Sequence, residues 1–429
     1  MKGAVPPRAT FRDVFAVREF RALWFSVVLS VAGDRLALVA LTLLVYHKTR
    51  SPLLAALVYA AGYLPWVIGG LFLAETADRY PRRTVMIACD AVRAVLVAAM
   101  VIPHLPIAAL VALLFAATMF APPFDSARAA ITPDILQGER YVLGTAVIQT
   151  TYFGAQVVGA AGGGVAVALI GVRSTLGLDA ATFVLSGLLI AFGTRSRPAA
   201  AQPDSVQSSA LARMRDGFQL VFGNQALSTL LLLGWLVVFY TIPEGIAAPY
   251  AARLGGGSIA TGLVIASTAL STTIVTPLFS RFFRPRQRTN WMGPLAVLTC
   301  GSLVLTALRP GLAASLVIFS LSATFGVYQI AANTAFVVRV PNERRAQAFG
   351  IASMGVVVGQ GAAFVAAGAA AEVMSPAVVI AVAGAIGAVV AFVLTLRWRH
   401  VSPPGGRHAA GRRPDHAATS SSVPLRGSG

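Results

Sequence analysis

The chain has 429 residues, 56% of them hydrophobic and 12% charged, with a mean hydropathy of +0.74. Soluble domains carry roughly 25% charged residues, so this composition lacks the polar surface that two or three soluble domains would need. The apolar content excludes a disordered or fibrous chain, and two cysteines exclude a disulfide scaffold. A polytopic membrane protein remains, and the net charge of +18 then reflects basic loops beside a bilayer rather than nucleic-acid binding.

Residues 1–19 form an N-terminal segment in which Phe11, Val14 and Phe15 share one helical face, with Arg12, Arg18 and Arg21 nearby. That pattern predicts a short helix lying in the membrane interface. A helix crossing ~30 Å of hydrocarbon needs about 20 largely apolar residues. By that measure twelve spans follow, over 20–46, 53–75, 83–102, 106–128, 142–170, 174–193, 225–250, 258–281, 290–308, 311–338, 346–371 and 375–397. The first is too long for a signal peptide and lacks a small-residue cleavage site. None shows strand-type alternation. The expected fold is therefore an all-α polytopic membrane protein, with twelve transmembrane helices in two pseudo-symmetric six-helix bundles.

The polar stretch 194–224 divides the spans six and six, as a central cytoplasmic loop between bundles at 20–193 and 225–399. The halves echo each other. Asp78-Arg79-Tyr80-Pro81-Arg82-Arg83 follows the second span, and Arg281-Phe282-Phe283-Arg284-Pro285-Arg286 the eighth. Pro133 with Glu139-Arg140 follows the fourth, and Pro341 with Glu343-Arg344-Arg345 the tenth. Parallel repeats of this kind place a substrate path between the halves. Residues 400–429 have no apolar periodicity and are expected to form a disordered cytoplasmic tail.

Of the 34 basic residues, 26 fall on the side of the N-terminus and only Lys48, Arg50, Arg173, Arg253 and Arg309 on the other. Arg35, Arg93 and Arg128 lie inside or at the edge of spans. Positive residues resist translocation, so both termini are placed in the cytoplasm of a cell with this protein in its plasma (inner) membrane.

Ionisable groups inside a span are costly and usually face a wet cavity or pair with one another. Asp34 and Arg35 sit midway along the first span and point about 100° apart, so one of them needs a partner from another helix. Asp34 reads either as a proton site or as half of a buried structural pair. Asp90 and Arg93 are three apart in the third span, a spacing that predicts a local pair. Asp125 and Arg128 have the same spacing near the inner end of the fourth and read as gate or interface residues. Glu244, between Pro243 and Gly245, predicts a discontinuous seventh helix with either a proton site or an acid at the outer surface. Gln329 and Asn333 lie one turn apart in the tenth span, where either a substrate or a neighbouring helix is a suitable partner. Small residues recur every fourth position at Ala155, Gly159 and Gly163, and from Gly355 through Gly359, Ala363 and Ala367 to Ala371, predicting close helix packing. Cys89 and Cys300 read as apolar filler, and the five histidines have no metal-ligand spacing. A Walker loop, a Gly-x-Ser-x-Gly elbow and a Rossmann fingerprint are all absent, which argues against an ATP-driven pump or an enzyme.

The loop after the second span resembles that of the major facilitator superfamily, Gly-x-x-x-Asp-Arg-x-Gly-Arg-Arg. Here it reads Ala74-Glu75-Thr76-Ala77-Asp78-Arg79-Tyr80-Pro81-Arg82-Arg83, keeping the acid and the basic residues while Ala74 and Pro81 replace the glycines. Gly33-Asp34-Arg35, Thr49-Arg50-Ser51, and Ala127-Arg128 with Pro133-Asp134 are similar to the twelve-helix drug:proton antiporter branch, which includes macrolide and siderophore exporters. The antiporter signature Gly-Pro-x-x-Gly-Gly of the fifth helix reads Gly159-Ala160-Ala161-Gly162-Gly163, without the proline. The resemblance implies a monomeric secondary transporter that needs no cofactor. It would export a hydrophobic or amphiphilic small molecule in exchange for protons, driven by the proton gradient. It also implies that Asp78 latches one half to the other, with Arg79, Arg82 and Arg83 beside it. A proton-coupled importer, or a transporter-like scaffold or sensor without flux, are the rival expectations.

Overall fold

The computed structural model describes residues 10–72, 79–197 and 210–401. Among them ten helices are long and apolar enough to cross a membrane. One of these, Glu139–Gly193, contains Gly171 at φ 78°, a backbone conformation that no helix continues through, so it supplies two crossings. A further helix, Arg82–Ala99, has 18 residues, or about 27 Å, and falls short in apolarity because it carries Arg82, Arg83, Asp90 and Arg93. Twelve crossings result, and no strand occurs among the described residues.

In chain order the elements are α1 (Phe11–Phe15), α2 (Arg18–Thr49), α3 (Pro52–Ala61), α4 (Leu64–Phe72), α5 (Arg82–Ala99), α6 (Ile107–Met119), α7 (Ala121–Ile135) and α8 (Glu139–Gly193). The second half begins with α9 (Ala210–Phe222), followed by α10 (Gln225–Trp235), α11 (Val237–Tyr240), α12 (Ile242–Gly245) and α13 (Ala247–Arg253). It ends with α14 (Ser258–Phe282), α15 (Pro285–Gly301), α16 (Leu312–Phe325), α17 (Tyr328–Arg339), α18 (Arg345–Val373) and α19 (Pro376–Val401).

The structure adds two details to the sequence reading. α1 packs on the bundle: Val14 is fully buried against Phe20, Leu136 and Ile148, and only Phe11 of its apolar face is left exposed. Thr10 caps this helix, and its hydroxyl holds the Asp13 carboxyl below the usual carboxylate range. The stretch 194–224 is not loop throughout, because α9 occupies its latter part and packs on α18 at Gly217, where a Cβ would meet Gln347 O at 3.0 Å.

An even number of crossings puts residues 10 and 401 at one end of the bundle. At that end each half has its own core, with Val221, Met292, Phe336 and Trp398 in one, and Leu23, Met86, Phe124 and Ile131 in the other. At the far end a single core joins them, running from Leu38–Val45 and Val58–Ala61 to Ile246, Val264 and Phe364. Glycines allow that contact. A Cβ at Gly164 of α8 would sit 2.4 Å from Ser258 O of α14, and one at Gly368 of α18 would sit 2.6 Å from the Ala56 side chain of α3. Glu372 then closes the rim, accepting from Ser51 Oγ and, at 3.1 Å, from the Leu53 amide. The far end is shut.

Candidate functional site

The buried charges of the first half gather in one place. Arg93 of α5, only 3% exposed, donates to Asp34 of α2, whose side chain stays 43% exposed. Its guanidinium lies 4.1 Å over the Phe183 ring, a cation–π contact that holds it flat between helices. The partner that Asp34 needed therefore comes from α5. The same fact corrects the local Asp90–Arg93 pair expected from spacing. Asp90 instead accepts from Ser186 at 2.6 Å, and Ser186 accepts from Ser30 at 3.3 Å. Tertiary packing offered Arg93 a carboxylate with a better approach than one on its own helix.

Asp179, after the Gly171 turn, completes the cluster and was not singled out from the sequence. It is 1% exposed, and Thr182 donates to its Oδ1 at 3.3 Å. The missing side chain of Gly33 makes room for it, since a Cβ there would fall 2.2 Å from Asp179 Oδ1. Asp34, Arg93 and Asp179 all line a cavity of about 70 Å³, together with Arg35, Trp66 and Tyr152. Asp125, paired with Arg128 at 2.9 Å as its spacing predicts, borders a smaller space next to Asp34 and Tyr152. Apart from Thr118, the rest of the wall is apolar, including Val31, Leu38, Leu114 and Ala117.

A second polar group bridges the halves. Glu244 on α12 accepts from Tyr59 of α3 at 3.1 Å and from Thr268 of α14 at 2.7 Å. Pro243 and Gly245 leave α11, α12 and α13 as short separate pieces, with breaks at Thr241 and Ile246. Nine residues separate Glu244 from Arg253, or about 13 Å of helix, so the acid sits inside the bundle rather than at its outer surface. Arg35 connects to this group from α2: its Nη1 donates to Tyr63 Oη at 3.3 Å, and its charge acts through space on Glu244. The rings of Tyr59, Tyr63 and Phe364 pack on one another beside it, with centroids 5.2 to 5.7 Å apart.

The remaining predicted residues lie apart. Gln329 donates to Gly234 O at 2.9 Å and to Tyr240 Oη at 3.3 Å, so its partner is the neighbouring helix; Asn333 is exposed. Arg82 pairs with Asp134 at 2.7 Å, and Arg83 donates to Ala191 O, both within their own half; Arg79 is exposed. Asp78 lies outside the described residues.

A pair of six-helix bundles, closed at one end around glycine contacts and holding an unbalanced charge cluster beside a cavity, is the architecture of a membrane transporter. The chain belongs to the Major Facilitator Superfamily, whose family model matches residues 23–344. No curated protein matches it. Among solved structures it is similar to the nucleoside transporter NupG (15% identity, TM-score 0.69, covering 89% of this chain and 99% of that one). It is also similar to the POT family transporter PepTSo (12%, 0.69, 90% and 98%). A third likeness is to a bacterial homolog of the human lysosomal transporter Spinster, solved in an inward-facing and unoccupied conformation (15%, 0.69, 92% and 100%). At these identities the likeness shows the fold alone.

Proposed function

We propose that this transporter exports a hydrophobic or amphiphilic small molecule across the plasma membrane in exchange for protons, as the drug:proton antiporter branch does. It acts as a monomer, with both termini in the cytoplasm. The observation that carries the reading is the Asp34–Arg93 pair: a carboxylate open to a cavity with both polar and apolar walls, bound to a buried guanidinium on another helix. A proton or a substrate reaching Asp34 releases Arg93, and one site thereby senses both. Three carboxylates, Asp34, Asp90 and Asp179, act on that guanidinium and Arg35 adds a second positive charge at the cavity wall, so acids still outnumber bases and binding a proton brings the cluster to neutrality. With the termini in the cytoplasm, the shut far end faces outward and the cavity is open inward. Opening outward then requires parting Tyr59 from Glu244 and Ser51 from Glu372. The inner closure would be completed by Asp78, with Arg79 beside it.

Asp34→Asn tests the coupling, because it removes the titration with little change in volume. In inside-out vesicles with an acid interior, the wild type accumulates a fluorescent lipophilic dye. The variant inserts normally, binds the dye and fails to concentrate it. Undiminished accumulation by Asp34→Asn would make Asp34 structural and sink the assignment.

A further inference from the structure

Asp90 and Asp179 each bury one carboxylate oxygen without a partner among the described residues, but Asp90 accepts a 2.6 Å bond from Ser186 and Asp179 only a 3.3 Å one from Thr182, which leaves Asp179 the less satisfied acid. Its Oδ1 is wedged against the α2 backbone at Gly33, and its Oδ2 is buried without a hydrogen-bond partner among the described residues. An unpaired carboxylate in an apolar bundle is far costlier than the neutral acid, which needs only a weak acceptor nearby. Asp34 from α2 and Arg93 from α5 face it. Asp90 stands one turn from Arg93 on α5, and Arg35 and Tyr152 close the cavity walls. Arg93 thus has Asp179 and Asp90 within its field besides Asp34, the one acid it is bonded to.

We propose that Asp179 is a proton-binding site that exchanges with Asp34 for the single guanidinium of Arg93, an inference that rests on the proton-coupled reading above. With Arg93 on Asp34, Asp179 holds the proton. In the exchange the O–H bond of the Asp179 carboxyl breaks, one forms on Asp34, and Arg93 shifts to the Asp179 carboxylate. The cluster charge is unchanged, so the step costs no new buried ion. Asp179 is the inner store, shielded from water, and Asp34 the outlet at the cavity. The Phe183 face on which Arg93 rests supports the guanidinium in both positions without binding either acid.

The probe is the proton itself, read by infrared difference spectroscopy on the purified full chain in lipid nanodiscs. The neutral-acid C=O stretch is followed through pH steps. The wild type shows a protonated-carboxyl component that Asp179→Asn removes. Asp34→Asn, which leaves Arg93 free to pair with Asp179, also loses it, whereas Arg93→Gln keeps it. Should Asp179→Asn not fold, Asp179→Glu keeps the acid and shifts the frequency of the component, and a component whose frequency stays unshifted in Asp179→Glu overturns the proposal. A component that survives Asp179→Asn and vanishes in Asp90→Asn or Glu244→Gln places the proton elsewhere and overturns the proposal. So does a component unchanged in Asp34→Asn. No transported molecule enters this measurement. If the spectra behave as stated while an imposed pH difference drives no dye, the proton site stands and the antiport reading fails.

Discussion

Tyr59→Phe removes one hydroxyl from the seam between the halves and leaves its ring in place. The ring is fully buried and keeps its contacts with Tyr63 at 5.7 Å and Phe364 at 5.2 Å, so fold stability changes little. What is lost is the 3.1 Å bond to Glu244, formed only while the far end is shut. A hydrogen bond is worth about 0.5–1.5 kcal/mol net between neutral groups, and about 1.5–3 kcal/mol when one partner is charged. Since ~1.4 kcal/mol is tenfold, a loss of about 1–3 kcal/mol moves the shut-to-open ratio at that end by roughly 5- to 150-fold. Spin labels at Ile102 and Leu308, exposed positions on opposite halves at the far end, report the ratio as a distance distribution. Tyr59→Phe should add or enlarge the longer-distance population. Glu244→Gln should do so less, because the amide oxygen still accepts from one of the Tyr59 and Thr268 hydroxyls and the amide NH2 can donate to the oxygen of the other. In the double variant the two effects should fall short of their sum, as expected for partners in one bond. An unchanged distribution, or strictly additive effects, would refute the seam as the element holding this end closed.

Gly262→Leu places a side chain where a Cβ would already lie 2.7 Å from Ala160 O. Overpacking costs about 1–3 kcal/mol, and here it falls on the shut state alone, so the same label pair should separate while insertion is retained. Asp78→Asn should raise the labelling of engineered cysteines at the termini end, if the acid latches that end; unchanged labelling with lost transport would give it another role. Reporters fused after Arg195 and after Arg399 should both report cytoplasm, and an external signal from either would break the orientation derived from the basic residues.

Composition and periodicity were enough for the class of protein, because a bilayer imposes a length and an apolarity on every crossing. Even the charged α5 was legible as a span, since its four ionisable residues still leave one apolar face. Breaks written in local chemistry were legible too: Pro243 and Gly245 foretold the interrupted seventh crossing, and helical spacing foretold Asp125–Arg128. An acid inside a crossing was equally visible at Asp179, and the rule that flagged Asp34 and Glu244 applies to it without change. Partner choice was not legible. Arg93 has an acid three residues away on its own helix and binds Asp34 of another, because side-chain reach across a helix interface depends on rotation and depth that no linear spacing encodes. Tyr59 and Thr268 carry no sequence signal at all; they matter only because two halves, more than 180 residues apart in sequence, bring them to the same carboxylate. The same holds for the glycines. Their four-residue rhythm announced close packing, but only the tertiary structure assigned Gly159 and Gly163 to α2 and the adjacent Gly164 to α14, since neighbouring residues on one helix point about 100° apart and face different partners.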